Sequence, residues 1–183
     1  MATKISAMTA ASALTGAEEL GGVQSSASRK VTAAQIKTLA QIGTTTNDSA
    51  AAGSIGEIIP STVLVGAAVA LTTATDKTVT SLSLTAGDWD VWGNVGFSLN
   101  AATTMTAIAA AINTTTDALP TAPGAGAFAQ IQAVLTTGAT QFLAAGAMRI
   151  SIASTTSVYL IARASFAVNT CAAYGYIAAR RVR

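Results

Sequence analysis

Asp88 and Asp90 are the sole close pair of acids in the part of the chain that reads as sheet. Two carboxylates two residues apart on a strand point to the same side. Such a pair is the least that glycoside hydrolysis or a calcium site requires. Nothing nearby completes either arrangement. The chain has eight acids in all and no histidine. That removes the commonest general base, the Ser/His/acid triad, the Cys/His dyad and the His-ligated metals together. The single cysteine, Cys171, lies in an alanine-rich run. It rules out an intramolecular disulfide and a Cys/His zinc site, and it reads as a small buried hydrophobe. Gly124-Ala125-Gly126 runs into Ala127-Phe128 rather than into the Lys-Ser/Thr that grips a nucleotide. The chain therefore reads as a non-enzyme with no cofactor and no metal. The two aspartates read as the solvent side of a half-buried strand that follows a turn at Gly87.

Binding chemistry is better represented. Trp89 and Trp92 fall on opposite faces of one strand, so one belongs to the core and the other is partly exposed. Tyr159, Tyr174 and Tyr176 repeat the pattern, with Tyr174 and Tyr176 on the same face as Arg180. Exposed aromatic rings of this kind either stack on sugars or lie against a neighbouring subunit. Trp92, Tyr159, Tyr174 and Tyr176 are thus the candidate ligand or subunit surface. The basic cluster Arg180, Arg181 and Arg183 reads as a solvated, charge-rimmed end. A net charge of +2, with ten scattered Lys and Arg, is too weak to bind nucleic acid.

The elements that must position these groups are strands. Between Asp88 and Asn100, the side chains Trp89, Val91, Val95, Phe97 and Leu99 share one face. Asp88, Asp90, Asn94 and Ser98 share the other, and Gly93 marks a bulge. Comparable runs are Thr62–Leu71, Thr78–Leu84, Thr104–Thr114, Phe128–Thr136, Met148–Ala153, Val158–Ala167 and Thr170–Ala179, with turn-forming residues between them. Thr104–Ile112 is helical by propensity, but its alternation favours a strand. The pattern predicts an all-β fold, an antiparallel β-sandwich or jelly roll of about eight strands. The first 60 residues differ, being punctuated by glycine and poor in aromatics. They read as an extended arm and linker (1–60) with at most one short helix, over Thr32–Leu39, ahead of a sandwich domain (61–183).

Hydrophobic residues make up 51% of the chain and charged residues 10%, against about 25% charged in typical soluble domains. So little charge implies a membrane or extensive burial against other protein. The most apolar stretch, Val63–Leu71, is far short of the roughly 20 residues a spanning helix needs, and no signal peptide is evident. The expectation is a soluble, assembled protein.

The N-terminal residues carry a resemblance. Lys4-Ile5-Ser6-Ala7-Met8-Thr9-Ala10-Ala11-Ser12-Ala13-Leu14-Thr15-Gly16, then Glu19-Leu20, Val23-Gln24 and Arg29-Lys30-Val31-Thr32-Ala33-Ala34-Gln35-Ile36, resemble the short module shared by many tailed-phage fibre, head-fibre and decoration proteins. Gly21-Gly22 departs from the Pro-Val more usual there. Gly87-Asp88-Trp89-Asp90-Val91 and the ending Tyr174–Arg183 are similar to trimeric phage virion domains of jelly-roll type. The resemblance implies an attachment arm carrying Lys4, Ile5, Leu14, Leu20, Val23, Val31 and Ile36. It also implies a homotrimer, made in the host cytoplasm and placed on the outer surface of a virion. The function it implies is capsid decoration, or cement, on the major capsid protein. The alternative is a tail- or head-fibre tip on tail or vertex proteins that binds a host-surface glycan. A glycan depolymerase is the third and weakest option.

Overall fold

The computed structural model describes residues 50–183 in full and, nearer the N-terminus, the backbone of two strands. The chain divides into two compact units, residues 1–48 and 49–183. In the first, β1 (Glu19–Gln24) and β2 (Ala27–Thr32) form an antiparallel hairpin with Leu20 opposite Val31 and Val23 opposite Ser28. Thr32 closes β2, and the rest of the expected helix, 33–39, lies outside the described residues.

The second unit is all strand apart from one 3-10 turn, Val65–Ala67. Its strands are β3 (Ile58–Val63), β4 (Val69–Ala70), β5 (Lys77–Leu84), β6 (Gly87–Leu99), β7 (Thr104–Asn113), β8 (Ala127–Leu135), β9 (Gln141–Ile152), β10 (Thr156–Ala167) and β11 (Cys171–Arg181). All pairings are antiparallel. One sheet runs β3-β11-β6-β9, with the two-residue β4 continuing the edge beside β11, and the other runs β5-β10-β7-β8. Numbered without β4, the eight long strands read 1-8-3-6 and 2-7-4-5. First pairs with last, second with seventh and fourth with fifth, which is the double Greek-key order of a jelly roll.

The period-two pattern of β6 explains its place at the centre. Trp89, Val91, Val95 and Phe97 are fully buried between the sheets, each contributing roughly 1.5–3 kcal/mol of burial. β7 is a strand rather than a helix: alternation places Ile108, Ala110 and Ile112 in the core, and the register shift between Met105 and Ala107 brings Met105 there too. Leu160 of β10 crosses from the opposite sheet to Gly93 and Gly175, where a Cβ at Gly93 would lie 3.0 Å from it. Two facing glycines thus make the space that one leucine fills.

Two strand boundaries depart from the sequence pattern. The apolar run Thr62–Leu71 is not one strand. The chain leaves the sheet after Val63, turns through residues 65–67 with Leu64 and Val65 exposed, and rejoins as β4. Pro60 lies on this edge strand, the place in a sheet where a missing N–H costs least. The run expected at Met148–Ala153 extends back to Gln141. The register shift sits beside Gly93, as expected, but the extra residue is Ala145 of β9, followed by Gly146 at φ +83°. That bulge switches the parity of β9 and hides its first half from any period-two reading.

Candidate binding face

The outer surface of the β3-β11-β6-β9 sheet gathers most of the candidate residues. In register across it, Trp92 lies between Ala178 and Ala147, Asn94 between Tyr176 and Ala144, and Gly96 between Tyr174 and Phe142. Trp92, Tyr174 and Tyr176 are half-buried, while Phe142 is 67% exposed. The absence of a side chain at Gly96 lets the Tyr174 ring lie flat over the backbone, and Phe142 meets that ring edge-on at 6.0 Å. The three rows are two residues apart, about 6.8 Å per step along the strand, so the four rings share one face. Tyr159 does not join them. It lies on β10, half-buried in the other sheet, opposite Ser81 and Asn113.

The next rows toward the start of β6 are charged. Asp90 accepts a hydrogen bond from Arg180 at 3.2 Å, with Arg149 as its register partner on the other side. With Trp92, Ala147 and Met148, these three line a shallow depression of about 480 Å³. Asp88 is not the solvent-facing group its position suggested. It is 3% exposed, and its Oδ2 takes both the Arg149 guanidinium, at 2.8 Å, and that of Arg183. The neighbouring Ser151 hydroxyl, then Arg149, hold its carboxyl down at about 2. Its Oδ1 has no hydrogen-bond partner in the chain.

Of the arginine-rich end, Arg180 and Arg183 are exposed as expected, whereas Arg181 is built in. Arg181 points inward and is 7% exposed. It donates to Glu57 at 2.9 Å, to the Ala86 carbonyl at 2.9 Å and to the Thr85 hydroxyl at 2.6 Å. The Arg181 hydrogen bond is the largest cause of the lowered Glu57 pKa, followed by the Gly53 amide. Gly87, at φ +141°, is needed because a side chain there would strike the Arg181 guanidinium.

A second surface is the flank where β8 and β9 meet. β8 is an edge strand, and from Phe128 onward most of its residues are exposed, with Val134 85%, Phe128 46% and Ile131 39% accessible. This is a run of apolar side chains beside unpaired backbone, the kind of edge that soluble monomers normally avoid.

No family model matches the chain, and no curated protein matches it in sequence. Its fold is similar to solved structures. T=1 particles derived from infectious bursal virus are 18% identical, with a TM-score of 0.41 over 77% of this chain and 35% of that one. The Gx strain of infectious bursal disease virus is 16% identical, with a TM-score of 0.39 over 68% and 30%. The VP2 subviral particle of infectious bursal disease virus is 16% identical, with a TM-score of 0.37 over the same shares. The chain spans about a third of the length of these structures. A likeness at this level bears on neither function nor partners.

Of the candidate arm residues, Leu20, Val23 and Val31 lie in the β1–β2 hairpin, whereas Lys4, Ile5, Leu14 and Ile36 fall outside the described residues. Among the described residues, no group of three or more His, Cys, Asp or Glu could hold a metal ion. No helix among them is long and apolar enough to cross a membrane. Cys171 is buried, and burial pushes its thiol up to about 11. Sequence reasoning missed Phe142 and Arg149, both on β9. Their face could be assigned only by knowing that the Ala145 bulge lies between them.

Proposed function

We propose that the chain is a non-enzymatic structural protein of a phage particle, a capsid decoration protein on the outer surface of the virion. In this reading its N-terminal unit docks on the major capsid protein and its sandwich projects as a homotrimer. One observation carries the reading. The sandwich draws its core from Leu71 to Ala179 and forms a unit separate from residues 1–48, which hold the attachment-like sequence. Jelly rolls are a common architecture of capsid and lectin domains, which is compatible with a displayed structural module. Binding that is specific to the assembled shell stabilises it by mass action, and many symmetric copies multiply the effect. The exposed Phe128, Ile131 and Val134 flank supports the trimer by giving each copy an apolar side to cover.

The test compares the full chain with a form lacking residues 1–55, by thermal melting, light scattering and co-sedimentation with particles. The expected outcome is a truncated form that melts as a trimer and no longer sediments. Aggregation of the truncated form would place the N-terminal unit in the core. Continued sedimentation would make the sandwich itself the attachment surface, and a monomer near 18 kDa would remove the trimer. A second reading, a fibre tip that binds a host-surface glycan, is favoured by the gathering of Trp92, Tyr174 and Tyr176 on one face. Copy number separates the two: hundreds per particle mean decoration, and a few to a few dozen mean a tail or vertex.

A further inference from the structure

We infer that the outer face of the β3-β11-β6-β9 sheet is a binding site for an acidic carbohydrate, with one sugar ring stacked on Trp92 and its carboxylate held by Arg149 or Arg180. The inference rests on the display reading above and gives this face of the projecting sandwich a ligand.

Three observations carry it. The first is shape: half-buried Trp92 lines the depression, and the small side chain of its register partner Ala147 lines it beside the indole. The second is the hydrogen-bonding set at its rim. Asp90 is an acceptor and Arg180 and Arg149 are donors, which is what adjacent sugar hydroxyls and a carboxylate require. The third is charge: Asp88 and Asp90 face Arg149, Arg180 and Arg183, leaving one surplus positive charge on the face. Arg149 and Arg180 are each more than half exposed, and each gives one terminal nitrogen to Asp88 or Asp90, which leaves its other N–H groups for a planar anion. Tyr176, Tyr174 and Phe142 lie in the next rows of the same face, beyond the depression.

Other occupants fit less well. A second copy on this face would have to bury the Arg149–Asp88 and Arg180–Asp90 pairs, whose desolvation costs affinity. A nucleic acid would need a denser basic track than a single surplus charge.

The chain has two tryptophans, and Trp89 is fully buried, so a change in emission on adding sugar reports Trp92. The experiment titrates the full-length protein with an oligogalacturonate and, as the neutral counterpart, a galactose oligomer. Calorimetry repeats both titrations on W92A, R149A, R180A and, as a control on the opposite sheet, Y159A. A saturable shift with the uronate is expected, lost in W92A, at least tenfold weaker in R149A or R180A, and unchanged in Y159A. R180A, at an exposed position, keeps the test valid if W92A fails to fold. The inference is overturned if the uronate does not bind at millimolar concentration, if the neutral oligomer binds as tightly, or if W92A or R180A binds like the parent. Particle co-sedimentation, run on W92A alongside, fails only if the display reading fails.

Discussion

The Arg181 guanidinium lies 4.2 Å above the ring of Trp89, its register partner on β6, and closes one end of the core. A cation over an indole contributes on the order of 1 kcal/mol, more when desolvated. Here the same group also satisfies Glu57, Thr85 and the Ala86 carbonyl. Arg181→Ala should therefore lower stability by about 3 kcal/mol, the low end for breaking a buried pair, because Glu57 retains some access to water. Arg181→Lys should recover less than half of that, since an ammonium cannot span the three acceptors. Denaturant melts measure both.

Acid should act chiefly through Asp88. Its folded-state value of about 2 lies below the ordinary 3.8. Its contribution is thus complete above about pH 4 and disappears as the pH falls toward 2. Glu57 and Asp117 are shifted in the same direction, Asp117 mainly by the Thr78 amide. With no histidine in the chain, the melting temperature should stay flat from pH 5 to 8 and then fall steadily below pH 4. Asp88→Asn should lower the plateau and make the acid slope shallower. A step near pH 6.5 would contradict this account.

Gly175 and Gly93 leave the space that Leu160 fills. Gly93→Ala should cost about 1–3 kcal/mol by overpacking, because its Cβ would lie 2.9 Å from the Tyr176 carbonyl as well as against Leu160. A double change with Leu160→Val should be less destabilising than the sum of the two single changes, which a double-mutant cycle would read directly.

Cys171 should be inert. Its buried thiol, pushed up to about 11, holds almost no thiolate at neutral pH. A thiol reagent should label the native protein only at the rate of global unfolding, and rapidly in denaturant.

The alternation in β6 and β11 was enough to read the sandwich, the buried Trp89 and the shared face of Tyr174, Tyr176 and Arg180. Alternation reports a face within a strand, but not which strands become neighbours. Tyr159 was therefore grouped with residues from which the sheet order separates it, and Phe142 and Arg149 were overlooked behind a bulge. Asp88 failed for a different reason. Its outward direction was right, yet Arg149 and Arg183 fold over it, and burial by long side chains leaves no mark on sequence period. The Ile161 side chain is similar: it points away from the core but is fully buried. The segment after β7 bridges to the start of β5 through Asp117 and Thr78, across the intervening β10.

The position of β11 bears on when the fold can form. It is the last strand of the sandwich in chain order, yet it pairs with β3 and β4 on one side and β6 on the other. Until it arrives, β3 has no partner in its sheet and β6 keeps an open edge, so closure waits on contacts between residues as far apart as Leu99 and Cys171 on one side and Ile58 and Arg180 on the other. Such non-local pairing makes folding slow, and at about 5–20 residues per second synthesis adds its own delay. A chain cut short before Cys171 cannot complete this sheet. Products that stop before β11 thereby keep an open β6 edge that the complete sandwich closes.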